Sequence, residues 1–141
     1  MESNRTTFKA LVVDDSTTLR RLMDLTLSPL GIDVEFTDNG EDAVTLVKGK
    51  DYDIIFLDVV LPGIDGYRVC KAIKGDHRTK STPVIMLTSK NSTFDKVRGM
   101  MAGTDVYLTK PLERTNLLRA ISKYLPLERR NGVVQVQQHG A

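Results

Sequence analysis

The 141 residues hold 40% hydrophobic and 27% charged side chains, the balance of one globular domain that buries roughly 68–70% of its unfolded surface without a metal or disulfide staple. A single cysteine, Cys70, excludes an internal disulfide and points to a reducing compartment, the cytoplasm. Twenty basic against eighteen acidic residues leave +2, too even to hold nucleic acid by charge; no apolar run nears the roughly 20 residues that cross a bilayer, and polar Met1–Lys9 lacks a signal-peptide core.

After an eight-residue N-terminal extension, two kinds of segment alternate along the chain. Ala10–Val13 reads as a first strand, and Thr17–Leu30 as a helix with the stripe Leu19, Leu22, Met23, Thr26 and Leu30. Ile32–Thr37 is a second strand, and Asn39-Gly40 opens a helix marked by Ala43, Val44 and Val47. Ile54–Leu57 follows as a third strand, with a helix carrying Val69, Cys70 and Ile73. Pro83–Thr88 is the fourth strand; its helix carries Phe94, Val97 and Met101, with Ser92 and Asp95 spaced as a capping box and Gly103 at its left-handed end. Asp105–Leu108 is the fifth strand, and a helix with Leu117, Leu118, Ile121 and Leu125 stops at Pro126. The polar stretch 127–141 lacks periodicity and is expected to be a mobile tail, leaving one domain over 9–126. Five β–α units in strict alternation predict an α/β fold with a parallel sheet covered on both faces. The continuous apolar runs Leu11-Val12-Val13 and Ile54-Ile55-Phe56-Leu57 fit such doubly covered strands.

In open α/β sheets functional groups gather beyond the carboxyl ends of the strands. Strand one is followed there by Asp14-Asp15, strand three by Asp58, strand four by Thr88-Ser89 and strand five by Lys110-Pro111. Converging carboxylates repel unless a cation neutralises them, and an all-oxygen donor set selects a hard ion such as Mg²⁺. Lys110 suits a phosphate oxygen, Thr88 offers a hydroxyl, and Ser89 a backbone N–H for another oxygen. Carboxylate, metal, lysine and hydroxyl together describe a phosphoryl-transfer site, and the lack of a separate base suggests an aspartate as nucleophile. Each element also has a plainer role. Asp14-Asp15 could cap the first helix, Asp58 could be a turn residue before Pro62-Gly63, Thr88 a capping hydroxyl, and Lys110-Pro111 a turn with a cis bond. Their conjunction at four strand ends outweighs the separate readings.

These residues fall into five motifs, Leu11-Val12-Val13-Asp14-Asp15-Ser16, Ile55-Phe56-Leu57-Asp58, Leu61-Pro62-Gly63-Ile64-Asp65-Gly66, Pro83-Val84-Ile85-Met86-Leu87-Thr88-Ser89 and Tyr107-Leu108-Thr109-Lys110-Pro111. In that order and spacing, from about Lys9 to Leu125, the chain resembles the receiver domains of bacterial two-component response regulators, in particular the stand-alone chemotaxis-type branch that serves flagellar or pilus motility. The resemblance implies a flavodoxin-like (βα)5 three-layer sandwich with strand order 2-1-3-4-5. It implies that Asp58 accepts a phosphoryl group from a histidine kinase or histidine phosphotransfer protein. Asp15 would bind Mg²⁺ directly, Asp14 through water, and Asp58 and the Val60 backbone carbonyl would complete the protein ligands. Lys110 would contact the phosphoryl group, Thr88 would move towards it, and Tyr107 would turn inward as the readout. The changed surface, on the fourth helix, fifth strand and fifth helix, would engage an output protein, with the chain a monomer or weak dimer that is not otherwise an enzyme. Val60 and Lys90 match the positions flanking the hydrolytic water, and an apolar Val60 cannot orient that water.

Competing readings fit less well. A haloacid-dehalogenase-like phosphatase needs a second aspartate where Val60 stands, a nucleotide site needs a glycine-rich phosphate loop, and Asp14-Asp15 would repel a flavin phosphate. A receiver-like interaction module that works without phosphorylation would have lost Asp14, Asp15, Asp58 or Lys110, and all four are present. A receiver cut from a longer regulator stays open. His77 and His139 lie in polar segments unsuited to a phosphohistidine, so the donor is another protein or a small acyl phosphate.

Overall fold

A computed structural model describes residues 7–89, 98, 100, 102–130 and 133–136. Strands β1 (Phe8–Val13), β2 (Ile32–Thr37), β3 (Ile54–Asp58), β4 (Val84–Thr88) and β5 (Val106–Thr109) form one sheet in the order β2-β1-β3-β4-β5, every pair parallel. Helices α1 (Thr17–Leu27), α2 (Gly40–Gly49) and α3 (Gly66–Gly75) follow the first three strands, and a C-terminal helix, Arg114–Tyr124, follows β5. The expected flavodoxin-like topology is present. The helix expected around Phe94, Val97 and Met101, with its Ser92–Asp95 cap and Lys90, lies outside the described residues apart from helical Arg98, Met100 and Ala102.

Alternation along the strands divides the core in two. Val12, Phe56 and Leu87 face one way, onto Leu19, Met23 and Leu27 of α1 and Leu117 and Ile121 of the C-terminal helix. Leu11, Val13, Leu57 and Met86 face the other way, onto Ala43 and Val47 of α2 and Val69, Cys70 and Ile73 of α3. β3 and β4 are buried along their whole length, as strands covered on both faces must be.

Local chemistry sets the ends of the elements. Ser16 caps α1 by accepting a hydrogen bond from the Leu19 N–H, Asn39 caps α2 through Asp42 N–H, and Asp65 caps α3 through Arg68 N–H. Pro29 converts the last expected turn of the first helix into a 3-10 turn, Ser28–Leu30, closed by left-handed Gly31. Glu113 precedes the C-terminal helix without a side-chain cap, in keeping with its lack of a small polar starter. Gly103 has φ +91°, the left-handed ending expected there. One segment departs from expectation. Instead of an unstructured tail, Leu127–Arg130 (β6) and Val133–Val136 (β7) pair as an antiparallel hairpin.

Candidate functional site

Parallel register carries the functional residues to one edge of the sheet. Val13 pairs with Leu57, Asp58 with Leu87 and Thr88 with Thr109, so Asp14, Asp58, Thr88 and Lys110 stand side by side at the carboxyl ends of four strands. Backbone bonds tighten the line: Asp14 N–H donates to Thr37 O at 3.0 Å, Val59 N–H to Leu87 O at 3.0 Å, and Lys110 N–H to Thr88 O at 2.7 Å. The Lys110-Pro111 peptide bond is cis.

Asp14 is fully buried, Asp58 nearly so, and Asp15 is exposed. Oxygens of the three carboxylates lie within 4.8 Å of one another. The Lys110 ammonium bridges two of them, 2.8 Å from Asp14 Oδ2 and 3.1 Å from Asp58 Oδ2. The remaining oxygens bind backbone: Asp14 Oδ1 accepts from Ser16 N–H at 2.6 Å, and Asp58 Oδ1 from Val60 N–H at 3.2 Å. Ser16, not Asp14 or Asp15, caps α1, and both carboxylates belong to the cluster, Asp14 while also holding the Ser16 N–H.

Burial, and then the Asp14 charge, push the Asp58 carboxyl above its ordinary value, with Lys110 and Val60 N–H pulling the other way. Burial would depress the Lys110 ammonium, but its bonds to Asp14 and Asp58 hold it above its ordinary value. Counted formally, three carboxylates against one ammonium leave two negative charges. A divalent, oxygen-seeking cation fits that deficit and that donor set.

Of the remaining expected residues, Thr88 is buried beside Asp58, Ser89 is exposed at the same edge, and Val60 is 61% exposed with its backbone at the rim. Tyr107, on β5, is half-buried, and its hydroxyl donates to the Tyr67 hydroxyl at 3.2 Å.

Three contributors escaped the sequence reading. Gly66 N–H donates to Val59 O at 2.8 Å, and any Cβ on Gly66 would overlap the Asp58 carbonyl oxygen. Glu41, in the first turn of α2, accepts from Ile64 N–H at 3.2 Å and so ties down the loop after Asp58. Arg20 Nε donates to Asp14 O at 3.2 Å and fixes the loop after β1. Only Gly66 had a visible signal, as the last residue of its motif.

Comparison with known proteins agrees with the geometry. Residues 10–122 match the response regulator receiver domain family. Over 126 residues the chain is 43% identical to Protein PilG of Pseudomonas aeruginosa, covering 89% of this chain and 93% of PilG. It is 40% identical to the transcriptional regulatory protein TcrA of Mycobacterium tuberculosis, of which it spans about half, 48%. Among solved structures, the chemotaxis response regulator CheY4 of Vibrio cholerae superposes with a TM-score of 0.80 at 32% identity, covering 85% of this chain and all of CheY4. The receiver domain of the sensor histidine kinase PA1611 of P. aeruginosa, solved with magnesium in its active-site cleft, gives 0.77 at 29% identity over 84% of this chain and 97% of that one. Sheet order, a lysine-bridged aspartate cluster and these matches converge: the chain belongs to the receiver domains of two-component response regulators.

Proposed function

We propose that this receiver is a phosphorylation-driven switch that accepts a phosphoryl group on Asp58 from a histidine kinase or histidine phosphotransfer protein. The observation that carries the reading is the placement of Asp58, buried at the centre of the cluster with its Oδ2 3.1 Å from the Lys110 ammonium. An Asp58 carboxylate oxygen attacks phosphorus, the bond from phosphorus to the donor breaks, and the acyl phosphate remains on Asp58. When bound by Asp14, Asp15, Asp58 and the Val60 carbonyl, Mg²⁺ supplies charge neutralisation for the incoming phosphoryl oxygens. Lys110 is placed to hold one of those oxygens, with the Ser89 N–H and the Thr88 hydroxyl at the same edge.

The readout follows from charge. A phosphoryl group adds about −1.5 to −2 at pH 7. Thr88 and Lys110 interact with it differently in the two states and so bias an equilibrium between them. Movement of Thr88 vacates the space into which Tyr107 turns. The affected face is the edge strand β5 with the C-terminal helix, where Tyr107, Leu108, Arg119 and Lys123 line a hollow of about 370 Å³. An output protein docks there, and the receiver works in the cytoplasm as a monomer or weak dimer. Its own chemistry is self-phosphorylation by small acyl phosphates and autodephosphorylation.

Borohydride reduction after incubation with acetyl phosphate and Mg²⁺ tests the assignment, since it converts an aspartyl phosphate to homoserine. Peptide mapping is expected to find homoserine at position 58 alone; homoserine elsewhere, or none, refutes it. Exposed, apolar Val60 cannot orient a hydrolytic water. Val60→Asn is therefore expected to shorten the phosphoryl half-life several-fold, and an unchanged half-life removes Val60 from the account.

A further inference from the structure

Away from the aspartate cluster, α3 and the helical turn carrying Arg98 and Ala102 enclose an open groove of about 280 Å³ lined by Tyr67, Arg68, Lys71, Arg98 and Ala102. Its floor is apolar, made by buried Tyr67 and Ala102, and its walls are three exposed cations. The walls are tied together, because the Cys70 thiol donates to Ala102 O at 3.4 Å. Arg98 lies over the Tyr67 ring at 4.2 Å and pairs with Asp65 at 3.5 Å, a long, exposed contact that a better carboxylate can replace. Among the described residues, Asp65 is the one carboxylate paired with any of those three cations. The site is strongly positive, in a chain whose overall charge is only +2.

Charge spacing selects the ligand. Arg68 and Lys71 stand three residues apart on α3, so their charges rise one helical turn apart along the groove. Arg68 stands in the first turn of α3, but its N–H is taken by Asp65 Oδ1 at 2.9 Å and the Gly66 N–H by Val59 O at 2.8 Å, so these amides offer no cradle of the kind a compact phosphate would require. A row of carboxylates on a polypeptide matches a row of cations, and arginine binds carboxylates through two parallel bonds.

We propose that this groove receives an acidic peptide segment of a partner protein, and that the Tyr67–Tyr107 hydroxyl contact makes its affinity depend on phosphorylation. The second half rests on the function proposed above. The Tyr107 hydroxyl, bound to that of Tyr67 at 3.2 Å, joins the groove floor to the switch strand. Rotation of Tyr107 away from Tyr67 takes one partner from the Tyr67 hydroxyl, and a carboxylate in the groove replaces it. Phosphorylation therefore tightens binding.

Fluorescence anisotropy of a fluorescein-labelled hexaglutamate peptide tests this with the full chain, at low and high salt. The expected result is salt-sensitive binding that Arg68→Glu/Lys71→Glu weakens about tenfold or more, with Arg119→Glu/Lys123→Glu weakening it far less. Circular dichroism of each variant confirms that it is folded. Binding that Arg119→Glu/Lys123→Glu abolishes while Arg68→Glu/Lys71→Glu spares it overturns the groove, as does no binding at low salt. Inorganic pyrophosphate that displaces the peptide at equal concentration overturns the peptide in favour of a phosphate ligand. After treatment with acetyl phosphate and Mg²⁺, a several-fold gain in affinity is expected that Tyr107→Phe removes. Intact mass is read on the same samples. Labelling without a gain overturns the coupling, whereas absence of labelling counts against Asp58 as acceptor and leaves the groove result standing.

Discussion

Gly66 is the most demanding packing position in the site, and its replacement by alanine measures how tightly α3 is seated against Asp58. An added Cβ would overlap the Asp58 carbonyl oxygen and stand 2.9 Å from both the Asp58 carbonyl carbon and Val59 Cα. Carbon atoms prefer about 3.5–4.0 Å, so the start of α3 must retreat by roughly 0.6–1 Å, against backbone that has no rotamer to give. Overpacking of this kind costs about 1–3 kcal/mol. Stretching the Gly66 N–H to Val59 O bond adds up to about 1 kcal/mol, and the better helix propensity of alanine returns at most about 1 kcal/mol. The net expectation is a loss of about 2 kcal/mol. Gly75, at the other end of α3, has nothing within 4 Å of an added Cβ, so Gly75→Ala supplies the control. Urea denaturation should place Gly66→Ala about 2 kcal/mol below the native protein, with a melting temperature lower by about 4–8 °C and Gly75→Ala level with it or above. Because the displaced backbone carries Asp58, Mg²⁺ affinity should fall as well. Equal stabilities for the two variants, within about 0.5 kcal/mol, would refute the packing argument.

Three further outcomes follow from the same geometry. Lys110→Met leaves the buried Asp14 and Asp58 carboxylates without their shared ammonium and is expected to cost about 3 kcal/mol in Mg²⁺-free buffer; saturating Mg²⁺ should recover part of it, and equal losses with and without Mg²⁺ would contradict the proposed neutralisation. Burial and Asp14 raise the Asp58 carboxyl, so the folded state binds a proton there more tightly than the unfolded chain does. The native protein is therefore penalised as pH rises from the ordinary carboxylate range through the raised value, and Asp58→Asn should gain stability over native across that window without Mg²⁺ and show no advantage below it; a gain that is largest in acid reverses the sign and refutes the account. Burial lifts the Cys70 thiol to about 11, so a disulfide reagent at pH 8 should react within seconds in urea and over hours in the folded protein.

Much of this molecule was readable because parallel sheets report themselves locally. Each strand is a short apolar run, and the polar residue that ends it is carried to the common edge by topology, which is how Asp14, Asp58, Thr88 and Lys110 could be grouped from chain order alone. β2 was readable to the residue, whereas β1 begins earlier than its apolar run because Phe8 and Lys9 pair with Ile32 and Asp33. Partners chosen by tertiary distance were not readable. Tyr107 and Tyr67 are 40 residues apart, and nothing in their local sequence says that the two hydroxyls meet. The same holds for the Lys74 ammonium, which joins Lys80 O, Thr82 O and Asp105 at the far end of α3. The pairing of Leu127–Arg130 with Val133–Val136 did have a signal, the Asn131-Gly132 dipeptide between two short segments, which the polar composition of 127–141 as a whole outweighed.

The central claim is that Asp58 is a Mg²⁺-dependent phosphoacceptor. Intact mass after incubation with acetyl phosphate, with and without Mg²⁺, on the native protein and Asp58→Asn, tests it most directly. The account predicts a gain of one phosphoryl group on the native protein with Mg²⁺, lost on chelation and absent from Asp58→Asn. No gain under conditions that label a control receiver, or an equal gain on Asp58→Asn, would contradict it.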